Sequence, residues 1–283
     1  MSVRDIFTFG RVCTSLAALN GAFIYVQYRK LVVCRPEYKQ EGLPEEKHRI
    51  AIFDNIAPTY DLTYGNTHRK LGITAAKANI LKRAKGHVLD LAAGTLENYK
   101  LYSNITSLTA LDKSVMMCLE MKRKIESEKP DFPVTIVCAD ASAIPFENES
   151  FSTVVTTHGL CSVEHPGKCL DEVARVLKPS GRYIGIERGR VYYRPLRALL
   201  NWLKLYPNPG MPWKYGYFED RDPIGLVQNC KGLTMLDSAV FGYGMNYSIL
   251  ARRFDSDKKS EFSNEPRIRP EARVIYSYVP RES

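Results

Sequence analysis

The sequence predicts an α/β fold: a doubly wound, mostly parallel sheet covered on both faces, with an N-terminal helical extension. Three observations predict it. Short, β-branched, almost continuously apolar runs recur through the middle of the chain, as expected of strands buried on both faces. Helix-like segments separate them, and strands alternating with helices form parallel βαβ units of fixed handedness. Aspartates stand at the carboxyl ends of three of the runs, where such sheets bind ligands. The 283 residues, 45% hydrophobic and 25% charged, suffice for one sizeable core with extensions.

The elements follow in order. Residues 1–34 form a hydrophobic or targeting segment. Its stretch 12–28, VCTSLAALNGAFIYVQY, holds no charge and is flanked by Arg4 and Arg11 before and Arg29, Lys30 and Arg35 after. Seventeen helical residues reach roughly 25 Å, the short end for a bilayer span. Three readings stay open: a marginal membrane anchor, part of a mitochondrial targeting sequence, or an amphipathic helix docked on the domain. Residues 35–50, RPEYKQEGLPEEKHRI, are polar with two prolines and read as a linker. The main domain spans 51–253. Leu71, Ala75, Ala78 and Leu81 fall at helical spacing and predict a helix over 68–84. HVLDLA (87–92) reads as a strand with a helix from about 97. SLTALD (107–112) is a second strand, followed by a helix over 114–128 capped by Ser114. VTIVCAD (134–140) and FSTVVTT (151–157) are the third and fourth strands. PGKCLDEVARVL (166–177) is a helix, and GRYIGIE (181–187) a fifth strand. Residues 254–283 form a polar tail with little order expected up to about Arg273. RVIYSYV (273–279) can add an edge strand or dock on a partner.

Charge is unevenly placed. Of the net +9, residues 51–187 contribute nothing, with 16 basic and 16 acidic residues. The aromatic, basic insertion at 188–231 carries eight basic and three acidic residues. That excess suits lipid phosphates, an anionic substrate or RNA, or is a solvated surface. Tyr192, Tyr193, Trp202, Tyr206, Trp213, Tyr215, Tyr217 and Phe218 crowd the same segment. They read as a pocket or lid, or as a core helix with an aromatic loop. Arg221-Asp222 reads as an ion pair. The seven cysteines are irregularly spaced with no CxxC, which fits a reducing compartment. No metal constellation emerges from the five histidines, so no metal is expected.

Asp90, Asp112 and Asp140 end the first three strands, and Asp112 lies 22 residues after Asp90. A carboxylate at that position can accept from both ribose hydroxyls of a nucleoside, and Asp140 beside Ala141 from an adenine amino group. The turn itself is glycine-poor: Ala92-Ala93-Gly94-Thr95-Leu96-Glu97. It lacks the glycines that admit a pyrophosphate, and Glu97 at a helix start would repel one. A nucleoside cofactor without phosphates suits it, and S-adenosyl-L-methionine is such a ligand.

FDNIAPTYD (53–61), AGTLENYKLY (93–102) and HGLCSVEHPGKCLDEVARVLKPSGRYIGIERGR (158–190) resemble the class I S-adenosylmethionine-dependent methyltransferases. The resemblance covers roughly residues 48–253. Within the class the chain looks most like the ubiquinone/menaquinone C-methyltransferases and the membrane-anchored methyltransferase-like proteins of the mitochondrial inner membrane. WKYGYFEDRD (213–222) and FGYGMNY (241–247) resemble substrate-side elements of that mitochondrial branch.

The resemblance implies a Rossmann-like fold and a division of roles. Asp90 orders the cofactor loop or meets the amino-acid moiety. Ala92 replaces the loop's first glycine; Gly94 and Thr95 approach the methionine part, and Asn98 holds the loop. Asp112 takes the ribose with Lys113 beside it, and Asp140 and Ala141 take the adenine. Thr157 and His158 border the reacting methyl, with His158 the candidate base and Glu187 second. Tyr60 closes over the cofactor. The implied function is methyl transfer to a small lipophilic, quinone-like acceptor at a mitochondrial inner membrane, which residues 12–28 would contact. Two alternatives remain. One is a catalytically inactive scaffold or assembly factor in a mitochondrial complex. The other methylates RNA or protein, with a mitochondrial protein or RNA assembly as partner. The departures from the family pattern are Ala92, expected to tolerate an extended backbone, and Leu96, strained by about 1–2 kcal/mol if its φ is positive.

Overall fold

In the computed structural model residues 15, 18–29, 42–254 and 265–280 are described. Most of the 1–34 segment, residues 35–41, and residues 255–264 and 281–283 of the tail lie outside them. The expectation of little order for the first part of the tail, and Cys13 and Cys34, therefore do too.

Among the described residues eight strands form one sheet, in the order β6-β7-β5-β4-β1-β2-β3-β8. The central five are parallel: β1 (Gly86–Leu91), β2 (Ile105–Asp112), β3 (Val134–Cys138), β4 (Phe151–Thr157) and β5 (Leu177–Arg188). The edges are antiparallel. β6 (Leu233–Phe241) pairs β7 (Asn246–Arg253), which pairs β5. β8 (Arg273–Tyr278) pairs β3, so the expected tail strand forms at that edge.

The strand pattern follows the residues. In β1, Leu89 and Leu91 pack into the core on one face, while Val88 packs into the core on the other. That alternation buries both faces of one strand, which explains its continuous apolar reading. The first face is covered by α6 (Pro166–Val176), which buries Cys169, Leu170, Val173 and Val176. The second is covered by α5 (Val115–Glu128) through Cys118, Met121 and Ile125, and by α4 (Ile73–Leu81). Ser114 caps α5 as expected: its hydroxyl accepts from the Met117 N–H at 3.1 Å.

Three local expectations are corrected. The single helix over 68–84 is two, α3 (Tyr60–Lys70) and α4, parted at Gly72, whose φ of +73° places it in the left-handed region. The stretch 35–50 is not linker throughout: α2 (Glu46–Ile56) begins inside it and buries Arg49. No α-helix starts at 97. Residues 95–98 turn, and only a 3₁₀ turn, Tyr99–Leu101, follows. Residues 18–28 (α1) are helical, and the Tyr25 hydroxyl donates to the Leu203 carbonyl at 3.2 Å. Among the described residues no helix is long and apolar enough to cross a membrane.

Candidate functional site

The strand order reverses between β1 and β4, which leave opposite sides of the central crevice, and a cavity of about 490 Å³ opens over their carboxyl ends. That volume suits a small organic ligand. One wall is made by the corners after β1, β2, β3 and β4. The other is made by α2, α3 and α4 and by residues of the 188–217 segment.

The corner after β1 is shaped by three residues in the left-handed region: Ala92 (φ 53°), Gly94 (φ 58°) and Leu96 (φ 60°). Ala92 is therefore not extended. Leu96 accepts the strained conformation, which its fully buried side chain offsets by packing against α4, Tyr99 and their neighbours. The glycine that survives is the one whose added Cβ would meet nothing within 4 Å, so its bare backbone faces open cavity.

Asp112 ties this corner to the next. Its Oδ2 accepts from the Gly94 N–H at 2.8 Å and its Oδ1 from the Ser114 N–H at 2.9 Å. Burial pushes its pKa up to about 6, against those hydrogen bonds. Asp140 is held in the same way, by the Ser142 N–H (2.7 Å) and hydroxyl (2.6 Å) on Oδ1 and by Lys113 Nζ (2.5 Å) on Oδ2. Burial raises its pKa, but Lys113 and Ser142 outweigh that and the net shift is downward. Lys113 also reaches Glu46 of α2 at 2.5 Å. Asp112, Lys113, Asp140 and Ala141 all line the cavity.

Asp90 does not. It is fully buried beneath the loop, where its Oδ2 accepts from Asn98 Nδ2 (3.2 Å) and the Tyr102 hydroxyl (2.8 Å). Burial raises its pKa to about 6. Asn98 donates onward to Thr157 Oγ1 at 2.8 Å, which links the first and fourth strand ends. Asp90 thus acts through Asn98, and two of the three aspartates face the cavity. Thr95 is held by Asp61 of α3 at 2.5 Å.

The opposite wall holds residues that the sequence did not single out. Lys77 sits on α4, among otherwise apolar neighbours, and is nearly fully buried. Its Nζ donates to Glu97 Oε2 at 2.8 Å, and His68 Nδ1 lies 3.3 Å from the same oxygen. His68, with help from Lys77, lowers the Glu97 pKa against the effect of burial. Glu97 is therefore a paired carboxylate and not a free charge at a helix start. A lysine in an apolar helical stripe was the available signal. Tyr60, Tyr64, Tyr215, Tyr217 and Arg188 complete this wall, with Arg188 donating to the Tyr217 hydroxyl at 2.6 Å. Burial raises the Tyr60 pKa.

His158 stands between the walls. Its backbone is left-handed (φ 57°), its N–H donates to the Ile186 carbonyl at 2.7 Å, and its ring meets that of His68 edge-on at 5.3 Å. Its Nε2 is buried without a hydrogen-bond partner. Burial, with the charges of Lys77 and His68, pushes its pKa well below the usual value, so the imidazole is neutral at pH 7. Glu187 does not line the cavity. Its Oε2 accepts from the Leu160 N–H at 3.0 Å, and burial raises its pKa to about 7, so it supports the turn after β4. Arg221 does not pair with Asp222: it donates to the Leu160 and Val163 carbonyls, while Asp222 pairs with Arg190.

Among the described residues, three buried polar atoms of the cavity lining lack partners: Arg49 Nε, Asn98 Oδ1 and His158 Nε2. With Gly94 open and Asp112 at the crevice, the donor and acceptor set fits a nucleoside with a polar tail, such as S-adenosylmethionine.

Comparison with known proteins gives the following. The family described as "Methyltransferase domain" matches residues 89–185. A demethylmenaquinone methyltransferase of Renibacterium salmoninarum is 34% identical over 155 residues, 53% of this chain and 62% of that protein. One of Chlamydia trachomatis is 31% identical over 172 residues, 57% of this chain and 69% of that protein. The Saccharomyces cerevisiae protein named as the mitochondrial methyltransferase OMS1 is 27% identical over 236 residues, 74% of this chain and 47% of that protein. The chain thus spans about half to two thirds of the length of these curated relatives. Among solved structures, the [4+2]-cyclase SpnF matches with a TM-score of 0.59 at 14% identity, over 76% of this chain and 99% of that one. An S-adenosylmethionine-dependent methyltransferase from Mesorhizobium loti matches with a TM-score of 0.50 at 17% identity, over 63% and 96%. At those identities the likeness is one of fold.

Proposed function

We infer the function from one premise: this chain belongs to the class I S-adenosylmethionine-dependent methyltransferases. We propose that it transfers a methyl group from S-adenosylmethionine to a small lipophilic, quinone-like acceptor, in a mitochondrial membrane setting. The names of the bacterial relatives support the acceptor class, and that of the yeast relative supports the compartment.

The observation that carries the reading is the tie from the Asp112 carboxylate to the Gly94 N–H across the crevice, with open cavity over both. When bound, the cofactor supplies a methyl group already activated on a sulfonium. The chain's task is to hold it, orient an acceptor and exclude water. Asp112 and Lys113 would hold the ribose side, Asp140 and Ala141 the adenine side, and Gly94, Thr95 and Asn98 the amino-acid tail. Ala92 shapes the turn, and Asp90 positions Asn98. Thr157 fixes Asn98 from β4, and Tyr60 with Tyr64 closes the cavity from α3. His158, neutral and with Nε2 unpartnered, is the group able to take a proton from a hydroxylated ring.

A second reading, a catalytically silent scaffold, is favoured by the left-handed Ala92 and Leu96 and by the full engagement of both cavity aspartates. Calorimetric titration with S-adenosylmethionine separates the two. Saturable heat that disappears in Asp112→Ala supports the enzyme. No heat from the parent protein supports the scaffold.

A further inference from the structure

Two helices in this fold are amphipathic in sequence and differ in what covers them. α6 buries its apolar stripe against the sheet. The second, α7 (Arg194–Trp202), sets Leu196, Leu199 and Leu200 on one stripe that continues to Leu203, with Arg194, Arg197 and Asn201 on the opposite side. None of its residues is buried. Leu199 is 50% exposed and Trp202 77% exposed. Tyr192 and Tyr193 extend the patch before the helix, and Tyr243 lies exposed in the adjoining turn, where the Tyr192 N–H meets the Gly244 carbonyl at 2.8 Å. α1 adds exposed Phe23, Ile24 and Val26 and is joined to the end of α7 by the Tyr25–Leu203 hydrogen bond.

Charge identifies what this face meets. Residues 188–218 hold six basic side chains and no acidic one; Arg188 lines the cavity and Arg190 pairs with Asp222, which leaves Arg194, Arg197, Lys204 and Lys214. A basic amphipathic helix with Leu and Trp on its apolar side is built to lie in the plane of a lipid headgroup layer. A second copy of the chain fits poorly, because a two-fold contact would bring like charges together. The segment also begins at Arg188 and returns through Met211, Tyr215 and Tyr217, all in the cavity wall.

We propose that α7 with its flanking tyrosines is a docking surface for an anionic phospholipid bilayer. The leucines and Trp202 enter the acyl boundary, and Arg194, Arg197 and Lys204 meet lipid phosphates. The proposal deepens the membrane setting of the proposed function and rests on that reading, naming α7 as a surface beside residues 12–28.

The test is flotation of the full chain with phosphatidylcholine vesicles and with vesicles that also contain phosphatidylglycerol. The parent binds the anionic vesicles at least about tenfold more strongly, and salt weakens that binding. Leu199→Glu combined with Trp202→Glu lowers binding at least about tenfold. Arg194→Gln with Lys204→Gln lowers the preference for anionic vesicles about fivefold or more. Because Arg194, Leu199, Trp202 and Lys204 are all exposed, Tm and S-adenosylmethionine binding measured without vesicles stay unchanged in both variants. Three results overturn the proposal. One is undiminished flotation of the Glu variant. Another is a parent dimer that this variant makes monomeric. The third is Trp202 fluorescence, read in Trp213→Phe, already shielded from acrylamide before vesicles are added. A parent that binds vesicles but not S-adenosylmethionine would overturn the proposed function and leave the surface intact.

Discussion

The two walls of the cavity are built by different means. On the strand-end wall, the two cavity aspartates are held by the strand-end corners themselves: Asp112 by Gly94 and Ser114, and Asp140 by Ser142 and Lys113. On the helical wall, partners come from far along the chain: Lys77 and His68 meet at Glu97, and Arg188 meets Tyr217. The first wall depends on backbone geometry, which many side chains elsewhere leave unaltered. The second depends on tertiary packing, so a single deletion exposes its charges. The difference teaches that the strand-end wall should be robust and the helical wall fragile.

Four experiments break or sharpen that contrast. Glu97→Ala leaves the nearly buried Lys77 ammonium without its carboxylate. It should destabilise the fold by about 3 kcal/mol, the low end for a buried pair because Glu97 is partly open. Thermal unfolding should show Tm lower by roughly 10 °C. An unchanged Tm would place the wall's stability elsewhere. His158→Gln removes the neutral ring but not the cofactor corners. Turnover with a hydroxylated aromatic acceptor should fall about 100-fold, or about 2.7 kcal/mol, with cofactor Kd unchanged. A change confined to Kd would make His158 part of the cofactor wall.

The third experiment varies pH. Asp112 titrates at about 6 in the folded chain, above the ordinary carboxylate value of 3.8. The raised value means the neutral acid is favoured by folding, so this group's contribution to stability is full below about 3.8 and is lost as pH rises through about 6. Cofactor binding runs the other way. The ionised carboxylate accepts from Gly94 and the ribose, so affinity should fall about tenfold between pH 7 and pH 5. A flat profile over that range, from titration at each pH, would remove Asp112 from the contact. The smallest effect is expected from Ala92→Gly. Relief of the left-handed alanine should stabilise the chain by about 1 kcal/mol and raise Tm by a few degrees.

The same contrast explains what the sequence revealed. The five parallel strands, the α5 cap and the positions of Asp112 and Asp140 were legible because period, caps and strand ends are local signals. The helix expected after residue 97 failed because Thr95 and Asn98 spend their side chains on Asp61, Asp90 and Thr157, and so order a turn instead. α2 was hidden because the residue it buries is Arg49, which meets Ser162, Glu164 and the Phe218 ring. Of the His68–Glu97–Lys77 cluster only Lys77 left a sequence signal, because Lys77 and His68 lie 20 and 29 residues from Glu97 and meet it only through the packing of α3 and α4. Asp90 was correctly placed at a strand end, but its distance from the cavity depends on Asn98 and Tyr102 filling the space above it.

The most direct measurement is calorimetric titration of the full chain with S-adenosylmethionine, beside Asp112→Asn, whose amide oxygen can still accept from one of the two N–H groups. The parent should give saturable heat with one site per chain, and Asp112→Asn should keep its Tm within a few degrees while losing affinity at least about 30-fold, or 2 kcal/mol. Equal affinity in the two proteins, or no heat from either, would contradict a nucleoside cofactor held at the end of β2.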